Sequence, residues 1–114
     1  MSNSQVETYK LVASPFHLDV RGKLSMGVLG KHLLNCADAY AAERGFDVVE
    51  QEGEHYTWVL SRLAIELEDL PSCHESFSIQ TWIENVYRLF ADRNFVICNK
   101  DEKPIGYVRS VWAM

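Results

Sequence analysis

Apolar residues recur along this chain with two different periods. Between Ser25 and Arg44 they return every three or four positions: Met26, Leu29, Leu33, Ala37, Tyr40 and Ala41 make one stripe, and Lys31, Asp38 and Glu43 lie off it. This predicts a helix capped by Ser25 at its start and stopped by Gly45. Gly27 and Gly30 are poor helix formers, and they predict either a close backbone neighbour or an irregular first turn. Elsewhere the pattern suits strands. "VETYKLVASPFHL" reads as a first strand to about Leu18, followed by a "DVRG" turn. After the helix, strands are expected from about His55 to Leu67, Phe77 to Tyr87, Asp92 to Asn99 and Ile105 to the end, with "EDLPSCHE" and "KDEKP" as breaks.

These elements predict a single α+β domain over residues 1–114, with the long helix laid across an antiparallel meander of about five strands. No internal repeat or linker interrupts it. In "FSIQTWIENVY", Phe77, Ile79, Thr81 and Ile83 share the helix-facing side, while Ser78, Gln80, Trp82 and Glu84 point away. In "YTWVLSRLAIEL", Thr57, Val59, Ser61, Leu63, Ile65 and Leu67 form the more apolar face. Tyr56, Trp58, Leu60, Arg62, Ala64 and Glu66 form a mixed face, suited to a surface that meets something other than water. A plainer reading has Trp58 covering the outer sheet and Arg62 paired with Glu84 on a neighbouring strand.

Composition narrows the class. Apolar residues make up 47% and charged residues 24%, enough for an ordinary core without staples. A net charge of -5 argues against a nucleic-acid partner. No apolar run approaches the length of a membrane span, and "MSNSQVETYK" has no signal-peptide core. Cys36, Cys73 and Cys98 are odd in number and contain no CxxC pair, which predicts reduced thiols in a cytoplasmic protein.

The element order and a set of spaced motifs carry a resemblance. Thr57, Trp58 and Arg62 are followed about two dozen residues later by Thr81 and Trp82, then by Arg93 and Phe95, then by Ser110 and Trp112. In this order the chain resembles the acyl-acyl-carrier-protein thioesterase family, and "FHLDVRGKLSMGVLGKHLLNCADAYAAERG" looks like that family's first strand, turn and long helix. The resemblance implies a hotdog fold and hydrolysis of fatty acyl thioesters without a metal or dissociable cofactor. It implies acyl carrier protein, or acyl-CoA, as the carrier of the substrate. Members of the family hold two hotdog repeats, and this chain matches the first. Their catalytic carboxylate, Asn and His lie on the second repeat, and "DVRGKLSMGVLGKH" contains no Asn-x-His motif. The chain is therefore expected to be the acyl-chain-binding half, paired with a second hotdog repeat or as a homodimer. Its ending in the apolar "GYVRSVWAM" is read as the mark of an N-terminal piece of a longer thioesterase. Alternatives are a free-standing homodimeric acyl-CoA thioesterase, a non-catalytic acyl-binding module, and a cone-shaped α+β ligand-binding domain.

Asp19 is the candidate catalytic carboxylate, placed where single-repeat hotdog thioesterases activate water, with the amides of Met26 to Leu29 as oxyanion donors. The plainer reading makes Asp19 the organiser of the "DVRG" turn, a routine role for Asp. Asp38, Glu43 and His32 are further acid–base candidates on the helix, against ordinary surface or core roles. His17, His32, His55 and His74 lack metal-site spacing, and Cys73 and His74 are adjacent, so their side chains diverge. The expected substrate contacts are Val28, Leu29, Leu33, Ile79 and Ile83 between helix and sheet, with Trp58 and Arg62 beside them. Arg21, Lys23, Lys31 and Arg44 are candidates for a basic rim facing an acidic carrier.

Overall fold

The computed structural model describes residues 5–44, 48–51 and 54–113. Helix α1 spans Met26–Glu43, as the stripe predicts. The Ser25 hydroxyl accepts the Val28 N–H at 3.2 Å, satisfying a donor that the first helical turn leaves free. Ser25→Ala is therefore expected to cost about 1 kcal/mol in a urea melt. Leu29, Leu33, Cys36, Ala37, Tyr40 and Ala41 are buried, but Met26, the first residue of the helix, is 47% exposed. Gly27 and Gly30 sit in regular helix with nothing within 4 Å of where a Cβ would be, so neither expectation for them holds. Gly45 lies outside the described residues.

The strands are β1 (Glu7–Val12), β2 (Val48–Gln51), β3 (Glu54–Thr57), β4 (Val59–Leu67), β5 (Ser76–Val86), β6 (Phe90–Cys98) and β7 (Pro104–Ala113). Five form one antiparallel sheet in the order β1-β5-β6-β7-β4, and β2 and β3 pair separately. With α1 against its inner face, this is the hotdog arrangement. Three expectations need correction. The first strand stops at Val12, because Pro15 and the capping Ser14 turn Pro15–His17 into a 3₁₀ turn. The strand expected over His55–Leu67 breaks at Trp58, and its first part pairs with β2 instead. The sheet is not a simple meander either, since β4 crosses over to pair with β7, two strands away from β5. Arg62 and Glu84 are consequently not on neighbouring strands.

A bulge between Leu60 and Arg62 switches the faces of the strand on its N-terminal side, while Ile65 and Leu67 keep the expected apolar face. Leu60, opposite Trp112, joins Ile65 and Leu67 as partly buried, while Val59 is 61% exposed. Trp58 turns inward and Arg62 outward, so the two do not share a face. On β5 the alternation holds as read: Phe77, Ile79, Thr81 and Ile83 are buried.

Candidate functional site

The seam between α1 and the sheet has two apolar clusters. The larger joins Leu29, Leu33, Cys36 and Ala37 of the helix to Phe77, Ile79, Phe95, Ile97 and Val108 of the sheet. The smaller lies at the far end of the helix and holds Tyr40, Ile83 and Ala91, with Trp58 packed on it. Of the expected substrate contacts, Leu29, Leu33 and Ile79 lie in the first cluster, and Val28 packs against it. Ile83 and Trp58 belong to the second, and Arg62 belongs to neither, being exposed on β4.

A polar network stands among these clusters. Strand alternation puts Arg93 on the same face as Phe95 and Ile97, so its side chain is carried inward and the residue is 5% exposed. Its Nη1 donates to the Thr81 hydroxyl at 3.0 Å, and Thr81 donates in turn to the Asn94 carbonyl at 3.0 Å. On the other side the Ser110 hydroxyl donates to the Arg93 carbonyl at 2.9 Å and accepts the Trp112 indole N–H at 2.9 Å. Four residues of the spaced motifs are thus one chain of hydrogen bonds across β5, β6 and β7. The Arg93 side chain meets no carboxylate among the described residues. Burial lowers its pKa to about 10.

Tyr40 lies between two guanidinium groups, Arg44 at 3.6 Å and Arg93 at 4.4 Å from the ring centre. Its hydroxyl donates to the Gln5 carbonyl at 2.7 Å. Beside it Arg44 pairs with Glu7 at 2.8 Å, and the Tyr9 hydroxyl donates to Glu43 at 3.1 Å. Burial and the Glu43 carboxylate push the Tyr9 phenol up to about 12. Burial raises the Cys36 thiol to about 11, so it stays a protonated, inert thiol at neutral pH. In the sequence Arg93 stands out only as part of a spaced motif. Its spacing from Phe95 and Ile97 was the signal that it points inward.

Asp19 sits in the turn before α1. Its carboxylate accepts the backbone N–H of Arg21 and of Lys23 and both Nε and Nη2 of Arg21, at 2.8 to 3.2 Å. The hydrogen bond from Arg21 holds it below the usual carboxylate range. The expected basic rim is divided: Arg21 pairs with Asp19, Lys23 with Asp69, and Arg44 lies at the opposite helix end with Glu7. Among the described residues no group of three or more His, Cys, Asp or Glu is placed to hold a metal ion. No described helix is long and apolar enough to cross a membrane.

Residues 5–114 match the family model of the acyl-ACP thioesterase N-terminal domain. The chain belongs to that family. An acyl-ACP thioesterase from Bacteroides thetaiotaomicron is 61% identical over 95% of this chain and 44% of its own, with a TM-score of 0.89. A 12:0-ACP thioesterase from Umbellularia californica is 14% identical over 95% of this chain and 42% of its own, with a TM-score of 0.78. A DHNA-CoA thioesterase from Staphylococcus aureus, 13% identical, aligns over 95% of this chain and 72% of its own at a TM-score of 0.76. The last two show the fold. No significant match was found among curated proteins. This acyl-ACP thioesterase N-terminal domain spans less than half the length of the Bacteroides and Umbellularia proteins.

Proposed function

We propose that this domain is the acyl-chain-binding hotdog of a cytoplasmic thioesterase that releases fatty acids from acyl carrier protein by water attack on the thioester. The observation that carries this reading is the 61% identity, over almost the whole helix and sheet, to a protein reported as an acyl-ACP thioesterase. The seam supports it. Its larger cluster packs tightly around Leu29, Leu33 and Ile79, none more than 1% exposed, and serves as the rigid wall. The acyl chain would lie along the smaller cluster, against Ile83 and Trp58, with Val28 behind the wall and Arg62 outside it. Asp19, committed to four hydrogen bonds and held ionised, fits a turn organiser better than a proton acceptor near neutral pH. The carboxylate for catalysis would then come from a second hotdog domain. The outer edge of β4, which has no strand beyond it in this sheet among the described residues, is where that domain or a second copy would pair.

The test is binding of a non-hydrolysable fatty acyl thioether of the carrier's phosphopantetheine arm, followed by tryptophan fluorescence. Saturable binding is expected, with the signal lost in Trp58→Phe. Ile83→Ala should weaken it about tenfold through lost apolar contact. A folded chain that binds no acyl group would defeat the reading. Binding that is indifferent to Ile83 and Trp58 would move the acyl site elsewhere.

A further inference from the structure

The end of the helix away from Tyr40 holds a half-buried histidine that the acyl-binding reading does not use. His32, on the second turn of α1, has an Nε2 sealed from solvent with no hydrogen-bond partner. Its ring stands edge-on to His17 of the 3₁₀ turn, centres 6.2 Å apart and planes at 69°. On another side it meets Phe77 of β5 at 6.1 Å. The groups around it are uniformly unsuited to a positive charge. The 3₁₀ turn presents His17, β5 presents an uncharged phenyl ring, and α1 presents Lys31 alongside and the protonated Cys36 one turn on. In the turn before β5, the His74 N–H is bonded to Ala13, and the Glu75 carboxylate is taken by the Ser72 N–H and Lys100.

The contact ties two elements together. The His17 carbonyl accepts the Ser25 N–H at 2.9 Å, and Leu18 bridges Leu24, so the 3₁₀ turn, the Asp19 turn and the helix cap form one unit closed over His32. We propose that His17 and His32 form an acid-sensitive latch: protonation of His32 opens residues 14–25 from the start of α1. A proton on Nε2 has no acceptor in the closed form and finds water in the open one. Burial, then the neighbouring His17 and Lys31, hold His32 below the ordinary imidazole value of 6.5. The open form therefore binds more protons. Latch stability is complete above the ordinary value and is lost as pH falls below it, down to the lowered folded value.

Hydrogen exchange read by mass spectrometry on the full chain tests this, with rates corrected for intrinsic pH dependence. Opening of the segment 14–25 is expected to rise about tenfold for each pH unit between the ordinary and lowered midpoints, while β5 to β7 stay protected. In His32→Phe, which keeps a ring and cannot titrate, that rise should vanish. Should the variant fold poorly, proton NMR of the unaltered chain decides: His32 is expected to titrate below free histidine, together with the amides of 14–25. An ordinary midpoint, or acid opening that persists in His32→Phe, overturns the latch.

Discussion

Thr81→Val is expected to cost about 3 kcal/mol in urea unfolding, although it only exchanges a hydroxyl for a methyl group. Among the described residues the hydroxyl is the hydrogen-bond acceptor of the Arg93 guanidinium, at 3.0 Å, and both residues are buried. Valine removes the hydroxyl acceptor and leaves the buried guanidinium only the Tyr40 ring face among its described partners, a costly way to lose a hydrogen bond. Arg93→Met should behave differently. It keeps an unbranched stem against Tyr40 and removes a charge that burial already disfavours, so it is expected within about 1 kcal/mol of the parent. The double variant then has no donor to orphan. A cycle of parent, two singles and double should give a coupling of about 2 kcal/mol. Additive effects would show that the 3.0 Å bond carries little of the energy.

Gly106→Ala should cost about 2 kcal/mol, at a site with no unusual backbone angle. Gly106 sits on β7 opposite Leu67 of β4 and Ile97 of β6. An added Cβ would come 2.5 Å from Leu67 Cδ2, 3.2 Å from Ile97 Cδ1 and 3.3 Å from the Glu66 carbonyl oxygen. Leu67 is half-buried and its end can swing away, but Ile97 is fully buried and the carbonyl belongs to the β4 backbone. The cost should therefore fall on the pairing of β4 with β7. Thermal unfolding measures the loss, and Leu67→Ala in the same chain should recover part of it by clearing the closest contact. If the double variant is as unstable as the sum of its parts, the overlap with Leu67 is not the cause.

Local patterns made α1, β5, β6 and β7 legible, because each signal sits within a few residues: the Ser25 cap, the apolar stripe, the strict alternation from Phe77 to Ile83. What escaped was what strands do to one another. "EHYTWVLSRLAIEL" is uniformly strand-prone, so nothing in it announces that Thr57 leaves one sheet and Val59 enters another. The bulge at Leu60 and the crossing of β4 to β7 are choices of partner, and a period of two is the same for every partner. The site shows the same division. Arg93 could be placed on the inner face from its spacing to Phe95 and Ile97. That it would meet Tyr40 depends on where along β6 the fifth turn of the helix comes to rest, which no local spacing encodes.

The ties between β1 and the end of α1 bear on how the chain is made. Tyr9 to Glu43, Gln5 to Tyr40 and Glu7 to Arg44 span only 34 to 37 residues, whereas β1 takes its place in the sheet by pairing Glu7 with Thr81. As the polypeptide leaves the ribosome, the helix emerges before β5 does. The first strand, an amphipathic segment with no sheet to join, then has a local harbour at the newly finished helix end: the Glu43 carboxylate, the Arg44 guanidinium and the Tyr40 hydroxyl. Such ties would hold the nascent strand through the interval in which its unpaired edge is most open to the wrong neighbour.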